Sequence, residues 1–120
     1  MDHIYAILWH YEAVPEGSFA VPIAEAHATL EVLVSPVSAS ERVRRVKNDS
    51  PLFSDGTLSF LGLKELPSEA IPGVYASEMA ERYHGEVEST DLFSAKVNFV
   101  GEENISNAVR MVHDEGFVLE

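Results

Sequence analysis

The stretch that most constrains this chain is its opening run, Met1 to Tyr11. Ile4, Ala6 and Leu8 fall on one face of an extended chain, while Tyr5, Ile7, Trp9 and Tyr11 fall on the other. Side chains of a strand alternate between its two faces, so a run that is apolar at both parities has no face to turn to water. Its aromatic and β-branched residues favour a strand as well. The run predicts a central strand buried on both sides, with Tyr5, Trp9 and Tyr11 as core.

The C-terminal third is equally legible. Phe93, Ala95, Val97 and Phe99 alternate with Ser94, Lys96 and Asn98, which predicts a half-buried strand. After Gly101, Ile105, Ala108, Val109 and Val112 follow the spacing of a helix laid on a sheet, with Glu102 and Glu103 at its start and His113 near its end, as the helix dipole prefers. Gly116 ends that helix, and Phe117 to Leu119 can return as a strand, giving a strand–helix–strand unit.

Between these ends the signals are mixed. Glu12 to Pro22, with Pro15, Gly17, Ser18 and Pro22, reads as a loop. From Ala24 to Val34 the even positions are all apolar and the odd ones begin Glu25, His27, Thr29 and Glu31, the alternation of a strand with one wet face. The same segment carries a helical stripe of Ile23, Ala26, Leu30 and Leu33 behind Pro22, so strand and helix both stay open. Ser38 to Asn48 is a helix with a Ser38/Glu41 capping box, stopped by Pro51. Asp55-Gly56 between Leu52-Phe53 and Leu58-Ser59-Phe60 predicts a β-hairpin. Pro67, Pro72 and Gly73 mark a second loop, and Ser77 to His84 a short helix capped by Ser77. The expected fold is α+β: one domain over residues 1–120, a mainly antiparallel sheet of about four to six strands and about three helices.

Composition narrows the function classes. The chain has 120 residues, 46% hydrophobic and 23% charged, so disorder and fibrous structure are excluded. With no cysteine there is no disulfide, thiolate chemistry or Cys-type metal site. Twenty acids against eight bases leave a net charge of −12, which argues against direct nucleic-acid or anionic-membrane binding. Asp2 and a short apolar run from Ile4 to Trp9 do not make a signal peptide, and no apolar stretch approaches a membrane span, so a cytoplasmic protein is expected.

Catalytic signals are absent. There is no nucleophile elbow, phosphate loop, H-E-x-x-H or calcium loop. His10 with Glu12, and His27 with Glu25 and Thr29, share faces of extended chain and would need a further ligand from elsewhere to form a site. No catalytic residue, metal ligand or cofactor is therefore assigned, and the expectation leans away from an enzyme. Charge is distributed more tellingly. Arg42, Arg44, Arg45 and Lys47 hold half of all the cations, whereas residues 65–120 carry a net charge of −9.

Two function classes follow. The first is a non-enzymatic acidic binding protein that regulates or inhibits a macromolecular partner, itself basic or nucleic-acid-binding. Glu86, Glu88, Asp91, Glu102 and Glu103 would form the acidic contact face. Arg42, Arg44, Arg45 and Lys47 would supply a second contact or an anion site. The alternative is a ferredoxin-like protein that binds or transforms a small molecule. HIYAILWHYE followed by AEAHATLEVL and SDGTLSF resembles YCII-related dimeric α+β barrel proteins over about half the chain. That resemblance implies a homodimer and makes His27 the residue to test; Leu66 to Gly73 and the C-terminal unit depart from it.

Overall fold

The opening run takes the place its two apolar faces demand. In the computed structural model, which describes residues 2–12 and 26–119 (the side chains of Glu102 and Asn104 excepted), β1 (His3–Tyr11) lies inside a five-stranded sheet. Tyr5, Ala6, Ile7 and Leu8 are fully buried. The strand order is β3-β1-β2-β5-β4, with β2 (His27–Ser35), β3 (Leu58–Glu65), β4 (Glu86–Thr90) and β5 (Ser94–Val100), and every neighbouring pair is antiparallel.

Helices lie on both faces. On one, α3 (Pro72–Tyr83) and α4 (Glu102–Asp114) cover Ala6, Leu8, Leu30, Val32, Val97 and Phe99. On the other, α1 (Ala39–Asp49) and the single turn α2 (Pro51–Ser54) pack near β1 and β3, over Tyr5, Ile7, Trp9, Leu58 and Leu63. Burying each such Leu or Ile stabilises the fold by roughly 1.5–3 kcal/mol, and β1 contributes to both layers at once.

Residues 27–35 form a strand, so the helical reading of that segment falls. Its odd face is not wet. Thr29 and Glu31 are both 8% exposed. Each is satisfied in place, Thr29 Oγ1 donating to Asn98 Oδ1 at 2.9 Å, and Arg42 Nε and Nη2 donating to the two oxygens of Glu31 at 2.7 and 2.8 Å. A polar residue at the outward parity of a strand therefore marked an internal partner rather than solvent. The residues expected as a loop, 12–22, lie outside the described residues from 13 onward.

The Asp55-Gly56 hairpin is not there. Leu52 and Phe53 belong to α2, started by Pro51 at its first position. Of the turn pair only Gly56 has a positive φ, at +87°, and Asp55 Oδ1 accepts from the Thr57 amide at 2.9 Å. Asp-Gly here ends a helical turn instead of joining two strands, because a left-handed glycine serves both purposes.

Other boundaries move for equally plain reasons. Ser38 Oγ accepts from the Glu41 amide at 3.2 Å, but the Glu41 carboxylate goes to Arg44 and Arg45, so the capping box is half made. Helix α3 begins at Pro72, not Ser77, since proline at the first helical position gives up no bonded amide. His84 closes it in the left-handed conformation at φ 60°. After α4, Phe117 is buried and Val118 forms one antiparallel bridge to Leu63, so the return is a single bridge on β3 rather than a strand. A helical 24–34 would have put a helix between the first two strands, as a ferredoxin-like order requires. With β1 and β2 adjacent and antiparallel, that order does not hold.

Candidate functional site

The acids singled out by sequence fall on the open edge of the sheet and at its two ends. Among the described residues β4 pairs only with β5, and all five of its residues are exposed. Only Val87 is apolar in this strand, which explains why no alternation revealed it. Glu86 stands opposite Asn98, and Glu88 occupies a β-bulge between the Val87↔Val97 and Ser89↔Lys96 pairs. Register then places the start of β4 beside the end of β5, from which the chain enters α4 at Glu102 and Glu103. Glu103 is exposed; the Glu102 side chain lies outside the described residues. Asp91 lies at the other end of β4, where its Oδ1 accepts from the Phe93 amide at 3.1 Å and shapes the β4–β5 turn.

Glu86, Glu88, Asp91 and Glu103 have no ion-pair partner among the described residues. Of the three cations of the same half, Arg82 and Arg110 are engaged elsewhere, whereas exposed Lys96 lies on β5 opposite Ser89, beside the Glu88 bulge. Arg82 Nη1 and the Tyr83 hydroxyl both donate to Glu115 Oε2, at 2.7 and 2.6 Å, and Arg110 lies over the Tyr83 ring. The Tyr83 donation and then Arg82 hold the Glu115 carboxyl below its usual range. Burial, with the bond to Glu115, pushes the Tyr83 hydroxyl up to about 12. This cluster joins α3 to the end of α4 and leaves Lys96 as the cation of this half that stands beside the β4 acids.

The basic helix behaves differently from a convergent anion site. Arg42 is taken by buried Glu31, and that bidentate bond raises the guanidinium further above its usual range. Arg44 and Arg45 both reach Glu41, and Lys47 Nζ sits 5.3 Å from the centre of the Phe60 ring. Arg44 and Lys47, with Ser38, Ser40, Glu41 and Asn48, line a shallow hollow of about 330 Å³ on the outer face of α1.

The histidines are dispersed. His10 Nδ1 is 3.6 Å from Glu12 Oε1, His27 stacks on Tyr11 with ring centres 4.9 Å apart, and Glu25 lies outside the described residues. Burial, with Glu31 and Glu88 adding, raises the Tyr11 hydroxyl above its usual range. Among the described residues no three His, Asp or Glu side chains gather as a metal site, and no helix is long and apolar enough to cross a membrane.

Sequence reasoning missed an apolar cluster beside the acids. Leu92 and Phe93 form the exposed tip of the β4–β5 turn, and Ile71 and Val74 stand exposed at the start of α3. The available signal was the helical spacing after Pro72, visible once the helix is started there. Comparison with protein-family models, with curated proteins and with solved structures finds no match.

Proposed function

We propose that this chain is a non-enzymatic binding protein that regulates or inhibits a basic macromolecular partner through the acidic surface around β4. The observation carrying this reading is that Glu86, Glu88, Asp91 and Glu103 are all exposed and lack ion-pair partners among the described residues, at and around an open sheet edge. Exposed carboxylates in excess of the one cation beside them in the sheet, Lys96, steer a cationic partner and repel anionic ones. Glu102 belongs to the same proposed face by its place in the chain.

A pull-down from host lysate tests it, with wild type and the Glu86→Lys/Glu88→Lys/Glu103→Lys variant immobilised in parallel. The screening length is about 10 Å at 0.1 M salt and shortens as salt is raised. The expected result is a basic protein held by wild type at about 0.1 M salt, released near 0.5 M, and not held by the variant. A partner held equally by both, or one indifferent to salt, contradicts the reading.

A further inference from the structure

Helical spacing gives α3 two unlike faces. Ala76, Met79, Ala80 and Tyr83 point to the sheet and are buried. Ile71, Val74, Glu78 and Glu81 follow one another on the outer side, and all four are exposed. The stripe is apolar where the helix begins and acidic further along. Ile71 is 61% exposed and Val74 53%, and Leu92 of the neighbouring turn reaches 82%.

These side chains frame two adjoining hollows. One, of about 330 Å³, lies between the first turns of α3 and the β4–β5 turn, lined by Ile71, Gly73, Val74, Ser77, Asp91 and Leu92 among others. The second, of about 240 Å³, lies on the other side of the same ridge and includes Tyr75, Glu69 and Glu78. Ile71 and Val74 belong to both hollows, so they form the ridge between them. The lining contains three acids, Asp91, Glu69 and Glu78, and no base.

We propose that this ridge, with Leu92, anchors a positively charged amphipathic segment of a protein partner, its apolar side chains entering the two hollows and its lysines or arginines meeting Asp91, Glu69 and Glu78. This rests on the acidic-binding reading above and gives it a point of attachment. Apolar centres with a polar rim are the usual make-up of a protein contact, and exposed apolar residues grouped in this way mark one. The sign of the rim selects the occupant. A second copy set two-fold on the same patch would bring Asp91, Glu69 and Glu78 against their own kind with no cation in the lining, and like charges in contact are strongly disfavoured. A basic segment meets the apolar ridge and the acids together.

The test uses two synthetic peptides of equal positive charge, titrated into isotope-labelled full-length protein and followed by amide shifts. One carries lysines with leucines at helical spacing; in the other every leucine is glutamine. The leucine peptide is expected to bind at least about tenfold more tightly, shifting the amides of 71–78 and 90–93. Val74→Ser/Leu92→Ser should remove that advantage at an unchanged melting temperature, because both residues are exposed. Equal binding of the two peptides overturns the anchor while leaving the acidic reading standing. Shifts confined to other surfaces also overturn it. Failure of both peptides to bind anywhere removes the acidic reading too. A dimer in sedimentation that the double variant dissociates assigns the ridge to a second copy and overturns the proposal.

Discussion

The two edges of the sheet are finished in opposite ways. At β3 the chain pins its own edge at one point: Leu63 and Val118 exchange two backbone hydrogen bonds of 2.8 Å, and Phe117 is buried beside Gly62. A Cβ on Gly62 would stand 3.1 Å from that of Phe117, so the segment lies as close as a glycine allows. At β4 no strand closes the edge among the described residues; instead it carries Glu86 and a bulge at Glu88. Bulges and charges blunt an open edge against indiscriminate pairing. One edge is pinned by the fold at Leu63, and the other is exposed along all five residues of β4.

The largest effect should come from releasing the pinned edge. Ending the chain after Gly116 removes the buried Phe117 ring and the Val118 bridge, and about 3–5 kcal/mol of stability should go with them in urea unfolding. A loss below about 1 kcal/mol would show that the bridge is ornamental. The next effect belongs to the entry into β4. A Cβ on Gly85 would meet Val97 Cγ1 at 2.6 Å and Phe99 Cε1 at 2.7 Å, so Gly85→Ala should cost about 1–3 kcal/mol. Gly62→Ala, at 3.1 Å, should cost less, which ranks the two glycines by melting temperature.

A smaller effect concerns pH. Glu115 leads the chain toward the closing segment, and its carboxyl is held below the usual range by Tyr83 and Arg82. A depressed folded-state pKa stabilises above the unfolded value of about 4.3 and is lost as pH falls through the folded value. Glu115→Gln should therefore lower stability by about 1 kcal/mol near neutrality and flatten the acid limb below about pH 5. An unchanged acid limb would assign it to other carboxylates. The smallest change in stability, within about 0.5 kcal/mol, is expected for Glu86→Gln/Glu88→Gln at the open edge. That variant should nonetheless self-associate more readily in sedimentation, and if it does not, the bulge alone guards the edge.

What the sequence made legible divides along the same line as the edges. β1, β5 and α4 were readable because burial imposes a period on apolar residues, although Phe93, at the turn before β5, and Val109 are exposed instead, and Met111 takes the buried place on α4. Residues 27–35 were readable as an alternation. Their outward parity misled, since Glu31 and Thr29 answer to Arg42 and Asn98, partners distant in sequence that no local pattern announces. The Asp-Gly signal failed because one left-handed glycine ends a helical turn as well as it makes a hairpin. β4 was invisible as a strand: with all five residues exposed, it has no buried face to write a period. Its acids stood out by charge alone, and their lack of partners emerged only when the fold took Arg82 to Glu115 and Arg110 to Tyr83. The Ile71, Val74 and Leu92 cluster joins a helix start to a distant turn, a proximity that only the folded chain creates.

The most direct test is amide hydrogen exchange on the full chain, free and then with any basic protein recovered in the pull-down. Slowing is predicted at 86–93 and 71–78 on binding, with 58–65 on the opposite edge unchanged. Slowing confined to 58–65 or to α1, with β4 exchanging as freely as before, would contradict it.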